Sequence, residues 1–375
     1  MLGKIFKKYH LLFSIILIII LAGCAYLDNN NNENISTPPS KEEEVIKEDE
    51  AIKEEVEPIV EKEILLTFSG DSTLGTDKKF NQATSLPAML QAQNNDYSYF
   101  YKNVKSIFEA DDFTVTNLEG PLTTHNIESS DKQFNFKGDP ELARALAEGS
   151  IEGVTLSNNH TYDYGDKGVE DTLAALNKYG INYFGAGYKY ITELKGIKFG
   201  FLGYSIWGEG EEQKAAIKAD IEELKAQGAI VIINAHWGIE RDYRPYSIQI
   251  NMAHYMIDNG ADLIIGHHPH VVQSIEKYND KFIFYSLGNF AFGGNSNPSD
   301  KDTMIVQVQY KFENDQKVAE GIKVIPTKIS SVDYKNDYRP TPAEGAEKDR
   351  IFKKINDLNM NLDFIFGDEF HYTYQ

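Results

Sequence analysis

Short apolar runs alternate with amphipathic stretches along the chain from residue 64 onward. Six of the runs are typical of buried strands: residues 64–68, 113–115, 153–156, 229–233, 262–265 and 282–287. Between several of them, apolar residues recur at three- and four-residue spacing and a glycine closes the stretch. This spacing predicts helices over ELARALAEG, KGVEDTLAALNKYG and EEQKAAIKADIEELKAQG. The alternation predicts an α/β domain with parallel strands at its centre.

Two further patterns predict antiparallel pairing. The stretch ITELKGIKFGFLGYS is typical of a hairpin, with Lys195 and Gly196 at its turn. After residue 301, TMIVQVQYKF and VAEGIKVIPTKI alternate as exposed strands do, so we expect them to form a second, more antiparallel layer. We therefore assign 64–300 to the main domain and 301–375 to strands and a helix that complete it.

The first 23 residues are typical of an export signal. Three lysines precede an apolar run at 11–22, which ends in LAGC, and this arrangement resembles a bacterial lipobox. The run is shorter than the roughly 20 residues that a spanning helix needs. We interpret 1–23 as a lipoprotein signal peptide and Cys24, the one cysteine in the sequence, as the lipidated residue. This predicts anchoring at the outer face of the cytoplasmic membrane; the alternatives are an uncleaved anchor or a chance cysteine after a signal peptide.

Charge limits the classes of partner. Residues 24–63 are predicted to be a disordered tether, because 25–63 contain 13 Asp or Glu against 4 Lys and few apolar residues. The whole chain of 375 residues has a formal charge of −20. A nucleic-acid-binding protein would need clustered Lys and Arg, so no nucleic acid is expected as a partner. An anionic substrate would need local Arg or a metal ion to overcome the long-range repulsion.

Each of the six apolar runs ends in residues that can bind a metal ion or donate a hydrogen bond. These ends read SGDS, TNLEG, SNNHTYD, NAHWGIE, GHHPH and GNF. In open α/β sheets, ligands bind beyond the carboxyl ends of the strands, so the ends are expected to meet in one site. Taken singly each is weak, since Asp71 suits an ordinary turn and His236 a hydrogen-bonded core. Carboxylates, an amide carbonyl and imidazoles together suit one or two Mn²⁺, Fe²⁺ or Zn²⁺ ions.

Six motifs, in this order and spacing, resemble those of the CapA family: GDSTLG, NLEGPLT, SNNHTYDYG, HWGIE, GHHPH and YSLGNF. The members of that family are poly-γ-glutamate capsule-synthesis proteins related to the calcineurin-like metallophosphoesterases. The resemblance covers about residues 64–295. It implies a four-layer αββα sandwich with its site at the mouth of the two sheets.

The resemblance also implies roles for individual residues. Asp71 and His270 would bind one ion, and Glu119 would bridge to a second. The second ion would be bound by Asn159, His236 and His268. The general acid would be His160.

The chain departs from the superfamily's motifs at two positions. Thr73 stands where the first motif usually has a histidine, so one nitrogen ligand is lost. The bridging position holds Glu119 in place of aspartate, which lengthens the arm. Three neighbouring histidines compete for the last ligand positions, and the His-x-His spacing favours His268 and His270 over His267.

The segment WGIERDYRPYSIQ, directly after His236, contains candidate substrate-binding residues. The guanidinium groups of Arg241 and Arg244, flanked by Trp237, would suit the carboxylates of a polyglutamate chain. The alternative is a lid loop whose arginines pair with nearby acids. Asn289, from the last strand end, is a candidate for orienting a ligand or a water molecule.

Two functions remain open from the sequence. The first is a metal-dependent hydrolase or transferase that acts on an anionic polymer, such as poly-γ-glutamate, or on its phosphorylated precursor. The second is a non-catalytic accessory that binds this polymer beside membrane-bound capsule-synthesis proteins. Thr73 favours the second function, whereas the Asn159-His160 pair favours the first.

Overall fold

Two β-sheets pack face to face, and helices cover their outer faces. The computed structural model describes residues 59–129 and 132–374, and all of these belong to one compact unit. The predictions for the signal peptide, for Cys24 and for most of the tether lie outside the described residues.

The secondary structure contains every strand and helix predicted from the apolar runs. The strands are β1 (Glu61–Ser72), β2 (Thr76–Asp77), β3 (Phe113–Leu118), β4 (Phe136–Lys137), β5 (Gly153–Thr155), β6 (Asn182–Phe184), β7 (Tyr190–Leu194), β8 (Ile197–Ile206), β9 (Ile230–Trp237), β10 (Leu263–His267), β11 (Ile275–Tyr278), β12 (Lys281–Phe284), β13 (Asp302–Glu313), β14 (Gln316–Lys328), β15 (Thr341–Pro342) and β16 (His371–Tyr374). The helices are α1 (Leu86–Ala92), α2 (Lys105–Phe108), α3 (Ala143–Glu148), α4 (Gly165–Lys178), α5 (Glu211–Ala226), α6 (Ser247–Asp258) and α7 (Gly345–Leu358). Short 3-10 turns lie at Gln82–Thr84, Tyr97–Phe100 and Pro140–Leu142.

Each sheet contains four adjacent parallel strands. The first sheet has the order β15-β14-β13-β1-β3-β5-β6, with β16 also paired to β14. Its strands β1, β3, β5 and β6 run parallel. The second sheet has the order β11-β12-β10-β9-β8-β7, in which β8, β9, β10 and β12 run parallel. The carboxyl ends of both parallel sets meet where residue 71, at the end of β1, pairs with residue 289, beyond β12.

Three clusters of buried apolar side chains lie between the four layers and pack them together. The cluster between the sheets joins Phe68 and Val115 of the first sheet to Phe201 and Ile265 of the second. A second cluster packs α1 to α4 onto the outer face of the first sheet. A third packs α5 and α6 onto the second sheet. Because each sheet is apolar on both faces, it needs a layer on either side, and the predicted αββα sandwich is confirmed.

The C-terminal strands correct one expectation. β13 pairs antiparallel with β1 from Glu61↔Glu313 to Phe68↔Val306, and β14 continues the same sheet. These strands therefore extend the first sheet and do not form a separate layer. Most of β13 is buried because it lies between two other strands with both faces covered. The same pairing brings residues 61–63, predicted as the end of the tether, into β1.

The predicted hairpin is present as β7 and β8. Both residues of its turn, Lys195 and Gly196, have positive φ values of 51° and 87°. Two-residue hairpin turns of this kind match the twist of the flanking strands. Across residues 59–129 and 132–374, no helix is both long and apolar enough to span a bilayer.

Candidate metal centre

Side chains from the ends of the parallel strands meet at one edge of the sandwich. The two sheets are joined there by backbone hydrogen bonds: the Asp71 N–H donates to Gly288 O at 2.9 Å, and the Phe290 N–H donates to Asp71 O at 2.7 Å. This contact requires Gly70, because a Cβ at that position would lie 2.0 Å from Gly288 O. The glycine of the SGDS motif thus lets the end of β1 approach the second sheet.

Two overlapping groups of potential metal ligands lie at this edge. One contains Glu119, His236 and His268, and the other contains Asp71, Glu119 and His270, with the ligand atoms of each group within 4.8 Å of one another. Glu119 belongs to both groups. Its Oε1 lies 3.8 Å from Nε2 of His236 and 3.8 Å from Nε2 of His270. The structure therefore brings together five residues that are separated by up to 199 positions in the sequence.

Asn159 joins the first of these groups. Its Oδ1 lies 2.7 Å from Nε2 of His236. All six residues that the sequence assigned to metal binding therefore lie at one edge. Their arrangement around a shared carboxylate corresponds to the two expected ligand sets.

The donor atoms at this edge fit a divalent cation. Oε1 of Glu119 and Nδ1 of His268 are buried and have no hydrogen-bond partner among the described residues. Buried polar atoms are almost always paired, because an unpaired one costs about 1–3 kcal/mol. A divalent ion would supply the missing partner, and the mixed oxygen and nitrogen set suits a borderline metal.

Burial and mutual proximity shift the ionisation of the ligands. Burial raises the pKa of Glu119 to about 7. Burial also raises the pKa of Asp71, but contacts with His267 and His270 outweigh it and hold that pKa well below its usual value. Burial lowers the pKa of His268 to about 3 and that of His236 well below its usual value. The imidazoles of His236 and His268 are therefore neutral at pH 7, as metal binding requires.

His270 behaves differently from the other histidines. Burial lowers its pKa, but the neighbouring carboxylates of Glu119 and Asp71 outweigh this and raise it to about 9. Its Nδ1 lies 3.3 Å from Oδ2 of Asp71 and 2.9 Å from Oδ1 of Asn289. A cation bound between the two carboxylates would displace the proton that His270 otherwise holds.

The loop after β10 has an unusual backbone. His268 and His270 have positive φ values of 97° and 57°. Non-glycine residues in this region cost of order 1–3 kcal/mol each and cluster at functional sites. His267 lies outside both ligand groups: its Nδ1 is 3.2 Å from Oδ1 of Asp71, and its Nε2 is 3.1 Å from Oδ1 of Asn234. The two ligand groups therefore contain His268 and His270, the His-x-His pair, and not His267.

Asn117 supports both ligand groups and was not identified from the sequence. Its Nδ2 donates to Oδ1 of Asp71 at 2.8 Å and lies 3.4 Å from Nδ1 of His236. Its Oδ1 accepts a hydrogen bond from Nδ2 of Asn158 at 3.2 Å. A signal was available, because Asn117 is two residues before Glu119 and alternate residues of a strand share a face.

Thr73 occupies the position where a histidine ligand was expected. Its Oγ1 donates a 3.4 Å hydrogen bond to Oε2 of Glu119. A hydroxyl at this position positions the shared carboxylate and adds no nitrogen ligand. The group of Asp71, Glu119 and His270 therefore offers one imidazole, whereas the other group offers two.

His160 lies beside the ligand groups and faces a cavity of about 620 Å³. Its Nδ1 is 2.6 Å from Oδ2 of Asp163. Asp163 is fully buried and also accepts hydrogen bonds from the Phe136 N–H at 2.8 Å and from Nζ of Lys132 at 2.8 Å. Asp163 was not identified from the sequence, although it follows His160 by three residues within the quoted motif.

Replacing Asp163 by alanine is expected to lower the free energy of unfolding by about 1–3 kcal/mol, because the buried Phe136 N–H loses its acceptor. Chemical denaturation followed by circular dichroism measures this change. Asp349→Ala, at an exposed position of α7, is the control and is expected to change the free energy by less than about 0.5 kcal/mol. Equal effects of the two substitutions would show that the Asp163 contacts add nothing to stability.

The four candidate substrate-binding residues have different environments. Arg241 and Asn289 line the cavity beside His270. Asn289 is also bound to His270, because its Nδ2 donates to the His270 carbonyl at 3.1 Å. Arg244 is exposed but does not line this cavity. Trp237 corrects the prediction, because it is fully buried and its Nε1–H donates to the Tyr285 carbonyl at 2.9 Å.

Trp237 is therefore part of the core between the second sheet and its helices. The sequence has two tryptophans, and the other, Trp207, was not identified as a site residue. Trp207 is 49% exposed and stands edge-on to His268, with ring centroids 4.8 Å apart. The indole next to the ligand groups thus comes from the loop after β8.

Trp237→Phe is expected to lower the free energy of unfolding by about 1–3 kcal/mol, since it leaves a cavity and an unpaired carbonyl. Trp207→Phe is the matched control and is expected to change it by less than about 0.5 kcal/mol. Urea denaturation of both variants tests the assignment of Trp237 to the core. A smaller loss for Trp237→Phe than for Trp207→Phe would contradict it.

The sequence matches the family described as "Bacterial capsule synthesis protein PGA_cap" over residues 65–294. It is 35% identical over 232 residues to the PGA biosynthesis protein CapA of Bacillus subtilis, which is 56% of this chain and 61% of that protein. It is 28% identical over 332 residues to the capsule biosynthesis protein CapA of Bacillus anthracis, which is 80% of this chain and 76% of that protein.

A third relative comes from Mycobacterium tuberculosis. This probable polyglutamine synthesis accessory protein is 27% identical over 210 residues, which is 48% of this chain and 55% of that protein. The chain thus spans 61% of the length of the Bacillus subtilis relative and 55% of this one. The family match at 65–294 contains both groups of potential metal ligands.

Proposed function

Because the chain belongs to the PGA_cap family of bacterial capsule synthesis proteins, we propose that it is a metal-dependent hydrolase or transferase of poly-γ-glutamate capsule synthesis. The observation that carries this proposal is the pair of ligand groups that share Glu119. Two Bacillus relatives are named for capsule or PGA biosynthesis, which supports the process.

The residues of the site would have different roles. Asp71, Glu119, Asn159, His236, His268 and His270 would hold one or two Mn²⁺, Fe²⁺ or Zn²⁺ ions. A bound divalent ion supplies Lewis acidity and lowers the pKa of a bound water. With Nδ1 of His160 held by Asp163, Nε2 is the nitrogen that can give a proton to a leaving group at the cavity.

The proposed substrate is an anionic polymer such as poly-γ-glutamate, or its precursor. The chain carries a formal charge of −20, so an anion needs local positive charge in order to bind. A divalent ion and the guanidinium of Arg241 at the cavity would supply that charge. The lipobox-like sequence supports an anchor through Cys24 at the outer face of the cytoplasmic membrane, beside membrane-bound capsule-synthesis proteins.

One observation favours a second function, that of a non-catalytic accessory that binds the polymer. Thr73 contributes a hydroxyl where a nitrogen ligand was expected, so the group of Asp71, Glu119 and His270 would hold its ion less tightly. The Mycobacterium tuberculosis relative is named as a probable accessory protein, which agrees with such a role.

Metal analysis of the purified chain, combined with a substrate panel, separates the two functions. The panel contains a phosphomonoester, a phosphodiester and γ-glutamyl peptides. Bound metal with turnover of any of these substrates supports the enzyme. Bound γ-glutamyl peptide without turnover supports the accessory, and a chain that takes up no divalent metal contradicts the proposed site.

A further inference from the structure

The cavity beside the candidate metal centre has a wall of phenylalanine rings that metal chemistry does not use. Phe80, Phe134, Phe136 and Phe292 line it. The ring centroids of Phe80 and Phe134 lie 5.2 Å apart, and those of Phe134 and Phe136 lie 6.2 Å apart. We call these four residues the phenylalanine wall.

The phenylalanine wall begins at the candidate metal centre. The ring of Phe136 lies 4.5 Å from that of His160, and the ring of Phe292 lies 5.0 Å from that of His270. The two phenylalanines converge at Gly294, where a Cβ would lie 2.5 Å from Cζ of Phe292 and 3.1 Å from Cζ of Phe136. A ligand with its head between the two histidines would therefore have a phenyl ring on either side of its next atoms.

The charges in the cavity do not suit a run of carboxylates. Apart from the histidines of the candidate metal centre, its cationic residues are Lys79 and Arg241, and its acidic residues are Glu240 and Asp300. Nζ of Lys79 already donates to the carbonyls of Lys132 and Gln133, both at 3.0 Å. Two cationic and two acidic residues therefore balance along this part of the cavity, which offers no excess of positive charge for a run of carboxylates.

Neutral polar residues of the cavity include Asn81, Asn295, Ser296 and Ser299. Cavities of this kind bind a largely apolar body and fix its orientation with a few polar contacts. A run of carboxylates along the phenylalanine wall would have to lose its hydration against four phenyl rings, and no excess of positive charge lies beside the wall to compensate.

We propose that the phenylalanine wall binds an aryl or hydrocarbon body carried by the ligand whose anionic head lies at the candidate metal centre. This inference depends on the proposed function only for the position of the anionic head. It names the substrate class as a compound with one anionic head and an apolar body, which a segment of unmodified polyglutamate does not have.

Two phosphonates with the same head and different bodies test this proposal. Phenylphosphonate and methylphosphonate are titrated calorimetrically into the Mn²⁺-loaded full chain in lipid nanodiscs. Phenylphosphonate is expected to bind about tenfold more tightly or better, because its ring is buried against the wall. Equal affinities would overturn the proposal.

Matched variants locate the preference. Phe134→Ala is expected to reduce the ratio of the two affinities to about threefold or less, and Phe80→Ala serves as a second variant of the wall. Phe370→Ala removes a half-buried ring that contacts Tyr372, outside the cavity, and is expected to leave the ratio unchanged. The proposal would be overturned if the ratio of the two affinities stayed unchanged in both Phe134→Ala and Phe80→Ala. It would also be overturned if Phe370→Ala lowered the ratio as much as these variants do.

A neutral probe tests binding to the phenylalanine wall independently of the metal ion. In metal-free protein, the fluorine signal of 4-fluorobenzyl alcohol is expected to broaden with the native chain and with Phe370→Ala, but not with Phe134→Ala. If neither phosphonate binds while this pattern holds, the proposed anion site fails and the wall inference stands. Broadening that is absent, or unchanged in Phe134→Ala, would overturn the wall inference itself.

Discussion

Replacing His160 by alanine is expected to lower the turnover of a cleavable substrate about 10²–10⁴-fold, while the chain keeps its divalent metal. A positioned general acid contributes a factor of this size. The structure explains why His160 suits this role. Oδ2 of Asp163 lies 2.6 Å from Nδ1 of His160 and holds the ring, so Nε2 is left for proton transfer. Steady-state kinetics with parallel metal analysis measures both quantities.

His125→Ala is the control for this substitution, because His125 is half-buried in a loop and belongs to neither ligand group. It is expected to change turnover less than about twofold. Turnover that survives in His160→Ala would remove His160 from the chemistry. Loss of metal together with turnover would mean that His160 acts through the ligand groups.

Replacing Glu119 by glutamine is expected to have the largest effect on metal binding. The substitution weakens the oxygen ligand that both groups share, whereas each of the other four ligands belongs to one group. Even changes to residues behind the ligands cost about 10–100-fold in metal affinity, so we expect a loss of at least about 100-fold. Titration of metal-free protein with Mn²⁺ or Zn²⁺, followed by calorimetry, measures the affinity.

The amide is nearly isosteric with the carboxylate, so Glu119→Gln is expected to fold, which circular dichroism checks. Glu170→Gln is the control, since the Glu170 side chain is 73% exposed on α4. Unchanged metal affinity in Glu119→Gln would contradict a shared site. A loss confined to one of two bound ions would instead show that a single group depends on this carboxylate.

The positions of the strands and the polar ends followed from the sequence. Runs such as 64–68 and 262–265 are apolar throughout, because strands at the centre of a parallel sheet are buried on both faces. The polar residues that follow them converge because the carboxyl ends of parallel strands share an edge. His236 and His268 could therefore be placed together, although 32 positions separate them.

The apolar pattern misjudged residues whose surroundings depend on a second element. Strand β13 alternates as a surface strand does, yet β1 and β14 flank it and both of its faces are covered. Trp237 ends an apolar strand beside polar residues, but its indole points into the core and donates to the Tyr285 carbonyl. Spacing within one strand gives the alternation of its faces and does not say what covers each face.

The sequence by itself determined the order of strands and helices and the set of polar strand ends, because these depend on periodicity and on the shared direction of parallel strands. The αββα class was implied by the resemblance of its motifs to a known family. Only the tertiary structure decided the partners of those ends. The support of Asp71 by Asn117, the contact of the Phe136 N–H with Asp163 and the phenylalanine wall all join residues from different segments. Such contacts depend on how the sheets and loops pack, and that packing leaves no local pattern in the chain.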